Sequence, residues 1–145
     1  IMEKEGLTPK QMDVIMNKKS GMLAVSGVSS DFRDLEAAVE KGNKRAALAL
    51  EVFAYQVKKL IGAYAAAMNG LDVVVFTAGV GENTPSIRKM ACEGLEFMGI
   101  FIDDKKNQTR GKEAEISSKD SKVKVLVIPT NEELAIAKET QKLIS

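Results

Sequence analysis

Residues 72–88, DVVVFTAGVGENTPSIR, decide the fold class of this chain. Residues 73–76 form an uninterrupted run of Val and Phe, which predicts a β-strand covered on both faces, as in a parallel sheet. Gly79 and Gly81 follow at the carboxyl end of this strand, where open α/β sheets bind their ligands. Glycine suits these positions because it permits a positive φ and lets the backbone come close to a bound group.

A helix N-terminus is predicted directly after the glycines. Thr84 is a suitable N-cap, and Pro85 suits the first helical position. Free backbone N–H groups beside a glycine-bearing turn are typical of a nucleotide or anion site. The spacing fits a purely structural strand–turn–helix connection equally well. The GxGxxG dinucleotide pattern is incomplete because Thr84 stands where its third glycine would be, and no GxxxxGK[ST] pattern is present.

Composition indicates a soluble globular protein with one domain over residues 1–145. Hydrophobic residues make up 45% of the chain and charged residues 28%. The net charge of +1, with two Tyr, five Phe and no Trp, argues against a nucleic-acid partner. Apolar runs fall far short of the ~20 residues that a membrane span needs, so we expect no membrane association.

Cysteine and histidine usage restricts the chemistry further. Cys92 is the single cysteine, which excludes an intramolecular disulfide and fits a cytoplasmic location. With no histidine in the sequence, a Ser–His or Cys–His nucleophile pair is impossible, and a zinc site lacks its usual ligands.

Helices alternate with short strands, which predicts a layered α/β domain with three or four strands. Apolar positions in residues 43–68 recur every three or four residues and predict a long helix, with Asn43 as its N-cap. Residues 22–25 are expected to form a very short extended segment, and residues 123–128 another strand. The polar residues 103–115 predict a solvated loop.

Three loops could carry a binding site: residues 26–33, 77–83 and 129–133. Each precedes a predicted helix, and the last contains Thr130 and Glu133, which predict a capping box. Two of the loops follow predicted strands. Parallel strands would bring those loops to one edge of the sheet.

The side chains of these loops suit a nucleotide with its divalent cation. Arg33 can stack on a purine or bind phosphate, and Asp31 or Asn83 can bond the ribose or the base. A carboxylate such as Glu82 or Glu132 can hold Mg²⁺ through water. Each residue also has a structural interpretation, as a helix cap or part of a solvated face, and spacing alone leaves both open.

The blocks SGVSSDFRDLE at residues 26–36, FTAGVGEN at 76–83 followed by Ile87-Arg88, and IPTNEELAIA at 128–137 occur in a characteristic order. Together they resemble the carboxyl-terminal half of the acetate kinase family, and the resemblance covers essentially the whole chain. It implies a ribonuclease-H-like fold of the actin, Hsp70 and sugar kinase superfamily. In that fold a small mixed sheet is flanked by long helices.

The resemblance also implies an activity: reversible phosphoryl transfer from ATP to acetate, giving acetyl phosphate and ADP, with Mg²⁺. It assigns the following residues: Asp31, Phe32 and Arg33 to the adenosine pocket, Gly79, Val80, Gly81, Glu82 and Asn83 to the opposite side of the nucleotide, and Glu132 to the metal. We expect these three groups to converge on a shared cleft.

The resemblance implies that the catalytic arginines, histidines and Asp of the family, and its acetate pocket, lie outside this chain. We therefore expect a fragment that is inactive alone, with no catalytic residue of its own, and the first residue, Ile1, fits a fragment or a processed chain. The family's homodimers give the helix over residues 43–68 a possible interface role. The alternatives are a propionate or other short-chain carboxylate kinase, and a non-catalytic actin-like dimerisation or ligand-binding module.

Overall fold

A computed structural model describes residues 1–144, and the chain divides into two compact units, Ile1–Leu60 and Ile61–Ser145. Five helices begin in the first unit: α1 Met2–Glu5, α2 Pro9–Lys18, α3 Gly21–Ser26, α4 Phe32–Glu40 and α5 Lys44–Ala67. The second unit adds β1 Val73–Phe76, α6 Ala78–Asn83, α7 Pro85–Cys92, β2 Ala114–Glu115, β3 Lys124–Val127 and α8 Glu132–Ile144. No helix described over residues 1–144 is long and apolar enough to cross a membrane.

The long helix forms as its periodicity predicts. Asn43 caps α5, because its side-chain oxygen accepts from the backbone N–H groups of Arg45 and Ala46, both at 3.0 Å. Asn69 ends the helix in the left-handed conformation with φ 60°. The N–H of Gly70 then bonds back to an α5 carbonyl. The predicted helix over residues 43–68 is confirmed as Lys44–Ala67.

The prediction of an extended segment at residues 22–25 is wrong, because these residues lie in α3. A short apolar run does not distinguish strand from helix by periodicity. A contact from a distant residue favours the helix: the Arg45 guanidinium donates to the carbonyls of Ala24 and Val25 at 2.8 and 3.0 Å. It thereby satisfies acceptors that a helix C-terminus leaves open.

The sheet is small and mixed, with strand order β1-β3-β2. β1 pairs parallel with β3, with Val74 opposite Val125, and β2 pairs antiparallel with β3. The α/β class and the parallel pairing are therefore confirmed. Coverage of β1 on both faces is wrong: Val74 is buried, whereas Val73 and Val75 are 42% and 47% exposed.

Residues 103–115 are more structured than the predicted solvated loop. They contain a 3-10 turn at Lys106–Gln108 and strand β2. Asn107 is 1% exposed, because its side chain bonds to groups of the helix α7. Because the segment is mostly polar and charged, its composition does not indicate that the Asn107 side chain is buried. The prediction of a solvated loop is therefore wrong at Asn107.

The two faces of the sheet predict different responses to one substitution. Thr is close to Val in shape, but its hydroxyl needs a hydrogen-bond partner when buried. Val125 is 0% exposed, so Val125→Thr should lower the free energy of unfolding by ~1–3 kcal/mol. Val75→Thr, on the exposed face, should change it by less than ~0.5 kcal/mol. Urea denaturation measures both, and an equal loss in the two variants would contradict the one-sided core.

Candidate functional site

The segment after β1 is a six-residue helix, α6, rather than an open turn. The positive φ predicted for its glycines falls on Ala78 instead, at 57°, so that expectation is wrong. Gly81 packs closely against the end of β1: a Cβ there would lie 3.2 Å from the carbonyl carbon of Phe76. At Gly79 a Cβ would meet nothing within 4 Å. The absent side chain of Gly79 therefore leaves open space beside the strand end.

Helix α7 starts where the sequence predicts, with Pro85 in its first turn. Thr84 precedes it as N-cap, but its side chain makes no capping hydrogen bond. The backbone carbonyl of Thr84 instead accepts from the N–H groups of Ile87 and Arg88, at 3.1 and 3.3 Å. The predicted start of helix α7 is confirmed, and the prediction that the Thr84 side chain caps it is wrong.

A hydrogen-bonded lock joins the loops that follow the two parallel strands. Glu82 Oε1 accepts from both the backbone N–H and the hydroxyl of Thr130, each at 2.8 Å. The Thr130 hydroxyl oxygen accepts from the Ala78 N–H at 3.2 Å. The Thr130 N–H, and next its hydroxyl, hold the pKa of Glu82 below its usual range. Glu82 is therefore an anion that fixes these loops to each other.

Thr130 consequently does not cap the last helix. The Asn131 side-chain oxygen accepts from the Leu134 N–H at 3.0 Å, and α8 begins at Glu132. Asn and Thr are both good caps, and the Thr130 hydroxyl is occupied by Glu82. The predicted capping box of Thr130 and Glu133 is wrong for this reason.

An open cavity of about 350 Å³ lies between α6 and the start of α8. It is lined by Ala78, Gly79, Glu82, Thr130, Asn131, Glu132 and Glu133. The structure therefore brings together three of the predicted site residues, Gly79, Glu82 and Glu132. Glu132 and Glu133 are exposed, and the cavity has the open Gly79 position on its other side.

The other residues of α6 have defined surroundings. The Asn83 side chain donates to the Gly79 carbonyl at 3.1 Å, and the Asn83 carbonyl accepts from Arg110. Val80 is half-buried, and its carbonyl accepts from the Thr84 N–H at 3.0 Å. These contacts stabilise the helical conformation of α6.

In the first unit, Asp31 and Arg33 form a local pair at the start of α4. Asp31 caps the helix by accepting from the Arg33 N–H at 2.9 Å, which confirms the capping role. Its carboxylate also binds the Arg33 guanidinium, with Nη2–Oδ2 at 2.6 Å, and this contact lowers the pKa of Asp31 to about 2. The Arg33 side chain is 89% exposed, so it is accessible to a ligand.

Phe32 packs inside the first unit. Its ring meets that of Phe53 on α5 edge to face, with centroids 4.8 Å apart. This contact anchors α4 against the long helix. The adenosine-pocket role of Asp31, Phe32 and Arg33, and their convergence with the other loops, stay predictions.

Sequence reasoning missed three residues of this region. The sequence predicts Thr130 as a helix cap and not as a partner of Glu82, and the charged stretch around Asn107 gives no signal that Asn107 is buried. Arg88 belongs to one of the blocks that resemble the family, and the structure adds that it is 0% exposed and donates to two carbonyls of α6. Its position four residues after Thr84 on an apolar helix face was the available signal.

Comparisons with known proteins agree on one family. A family model described as the acetokinase family matches residues 1–138. The acetate kinase of Methanosarcina thermophila is 62% identical over 144 residues, which are 99% of this chain and 35% of that protein. The chain thus spans about a third of the length of the curated relatives it matches.

Solved structures also match over nearly the whole chain. The crystal structure of Porphyromonas gingivalis acetate kinase matches with a TM-score of 0.89 and 52% identity, over 99% of this chain and 36% of that chain. A propionate kinase from Francisella tularensis matches with a TM-score of 0.84 and 39% identity, over 96% of this chain and 35% of that chain.

The lock between Glu82 and Thr130 predicts a titration. In the wild-type chain the Glu82 carboxyl should titrate below its ordinary value of 4.5. Its stabilising effect is then present above pH 4.5 and is lost as pH falls through the lowered pKa. Thr130→Val removes one donor and should move the midpoint back towards 4.5.

Carbon-13 NMR of the side-chain carboxyl measures this midpoint. Thr77→Val is the matched control, because the Thr77 hydroxyl is hydrogen-bonded to that of Thr130, at 3.4 Å, whereas the donors to Glu82 Oε1 belong to Thr130. Identical Glu82 midpoints in wild type and Thr130→Val would contradict the lock.

Proposed function

The chain belongs to the acetokinase family, and from this premise we propose that it is the nucleotide-binding domain of an acetate kinase. That enzyme transfers phosphoryl between ATP and acetate, with acetyl phosphate and ADP as the products. The observation that carries the proposal is the cavity at the ends of two parallel strands, with Gly79 open on one side and Glu132 on the other. Ligand sites of α/β sheets lie at this place.

The proposed role of this cavity is to hold the phosphate end of the nucleotide. The open Gly79 position leaves room for a phosphate group to approach the backbone. One oxygen of the Glu82 carboxylate, Oε1, accepts from Thr130 and keeps the cavity walls in place, and we propose that Glu82 also lies beside the bound nucleotide. Phosphoryl transfer depends mostly on such positioning and on neutralising charge.

The donor set suits Mg²⁺ when it arrives with a nucleotide. Magnesium is usually held by one or two carboxylates together with substrate phosphates and water. Within residues 1–144, no group of three His, Cys, Asp or Glu side chains could hold a metal by itself. Glu132 is an exposed carboxylate in the cavity wall and would hold the ion. Mg²⁺ would neutralise charge on the transferred phosphoryl group.

For the nucleoside end we propose Asp31, Phe32 and Arg33. The Arg33 guanidinium is 89% exposed and is already oriented by the Asp31 carboxylate, at 2.6 Å. A planar guanidinium can stack on a purine or bind phosphate with two parallel hydrogen bonds. Asp31 remains ionised because its pKa is about 2, so the pair is maintained at neutral pH.

We propose that this 145-residue polypeptide alone does not transfer phosphoryl groups. It contains no histidine, and it spans about a third of the length of its relatives. The acceptor we favour is acetate, the substrate in the names of the relatives, with propionate as the second candidate because a propionate kinase is also a structural neighbour. We also propose that the chain has a ribonuclease-H-like fold.

The proposed assembly is a homodimer that uses the long helix. Six large apolar side chains on or directly after α5 are between 41% and 64% exposed. They are Leu48, Val52, Tyr55, Leu60, Tyr64 and Met68. Exposed apolar residues grouped on one helix are typical of protein interfaces.

Nucleotide binding is tested by calorimetric titration of the folded chain with ADP and Mg²⁺. We expect binding, and Arg33→Ala should weaken it about tenfold while the unfolding midpoint stays unchanged, because the side chain is exposed. Lys10→Ala removes the same charge from an exposed site on α2 and is the control. No binding at millimolar ADP would favour the non-catalytic module, and loss of folding in Arg33→Ala would favour a structural role.

The metal role of Glu132 is tested against its neighbour. Glu132→Gln should reduce the gain in ADP affinity that Mg²⁺ produces by about tenfold, because a neutral amide holds the cation poorly. Glu133→Gln removes a carboxylate from the same cavity wall and should retain most of the gain. Equal effects of the two substitutions, with and without Mg²⁺, would refute the assignment of Glu132.

A further inference from the structure

Arg88 has the largest fully buried side chain among residues 1–144. Its guanidinium makes five hydrogen bonds, all to neutral oxygens. They are the carbonyls of Gly81 at 2.7 Å, Glu82 at 3.0 Å, Asn107 at 2.6 Å and Thr109 at 2.7 Å, and the Asn107 side-chain oxygen at 2.8 Å. Burial, and next the charge of Arg110, lower the pKa of Arg88 from its usual value. This cation joins the end of α6 to the loop at residues 107–109.

Asn107 completes the arrangement. Its side-chain oxygen accepts from Arg88 Nε, and its amide donates to the Pro85 carbonyl at 2.9 Å. The loop continues along α6: the Gly111 N–H donates to the Glu82 carbonyl at 3.2 Å. The end of α6 is therefore held by the loop both through Arg88 and directly.

The energetics explain why these bonds matter to α6. An isolated helix of six residues is unstable in water, so contacts outside the helix must set its position. The carbonyls at its C-terminal end favour a cation. Arg88 supplies that cation from inside the unit, whereas the lock to Thr130 acts from the cavity side.

We propose that Arg88 and Asn107 are positioning residues for nucleotide binding: together they set the place of α6 and hence of Gly79 in the cavity wall. The inference rests on the proposed function, since it concerns the same cavity. Neither residue lines that cavity, so they act through α6 and not by contact with the ligand.

Asn107→Ala tests the proposal, with Gln108→Ala as its matched control. Both lie in one 3-10 turn, but Asn107 is buried and Gln108 is exposed. Hydrogen exchange of backbone amides measures the first effect. In Asn107→Ala we expect exchange at residues 79–83 to be at least tenfold faster, with the amides of β3 unchanged, and in Gln108→Ala neither should change.

Calorimetry with ADP and Mg²⁺ measures the second effect. Asn107→Ala should weaken ADP binding about tenfold, and Gln108→Ala should not weaken it. Unchanged exchange at residues 79–83, an equal rise in exchange across β3, or unchanged ADP affinity would each overturn the proposal. If the wild-type chain binds no ADP, the proposed function fails, and the exchange measurement still shows whether Asn107 positions α6.

Arg88→Lys provides a second test if this variant folds. A lysine ammonium has three donors on one nitrogen and cannot replace the planar guanidinium that reaches both α6 and the loop. We expect faster exchange at residues 79–83 than in the wild type. Exchange as slow as in the wild type would overturn the role of Arg88, and Asn107→Ala decides the outcome if Arg88→Lys does not fold.

Discussion

The buried guanidinium of Arg88 is the contact on which the candidate site depends. A cation that is removed from water is costly unless its donors are satisfied, and Arg88 satisfies them with carbonyls from two segments far apart in sequence. One of these segments is α6, which carries Gly79, and the other is the loop that contains Asn107. Displacing either segment would leave the buried charge with only part of its hydrogen bonds, so the position of α6 is constrained.

The parallel pairing of β1 and β3 supplies the second constraint. It places the segments that follow both strands at one edge, where Glu82 and Thr130 bond to each other. The result is a cavity whose two walls are tied to each other by this anion, while the Arg88 cation holds one of them, α6, to the loop at residues 107–109. A cavity with such fixed walls suits the binding of charged phosphate groups, because little has to reorganise when the ligand enters.

Features governed by local sequence were predictable, and features governed by distant contacts were not. The long helix and its Asn43 cap, the parallel strands and the grouping of Gly79 with Glu132 follow from periodicity, capping chemistry and sheet topology. The prediction of a helix cap at Thr130 was wrong because the Thr130 hydroxyl bonds to Glu82, 48 positions away. The burial of Asn107 could not be predicted for the same reason, since the partner of its side chain is Arg88, 19 positions away.

Binding of nucleotide phosphate in this constrained cavity is measured by a nitrogen-15 NMR titration of the chain with ADP and Mg²⁺. We expect the largest amide shifts at Gly79, Gly81 and Glu132, beside the cavity of the second unit. Shifts confined instead to the cavity of about 590 Å³ in the first unit, around Lys41 and Asn43, would contradict it.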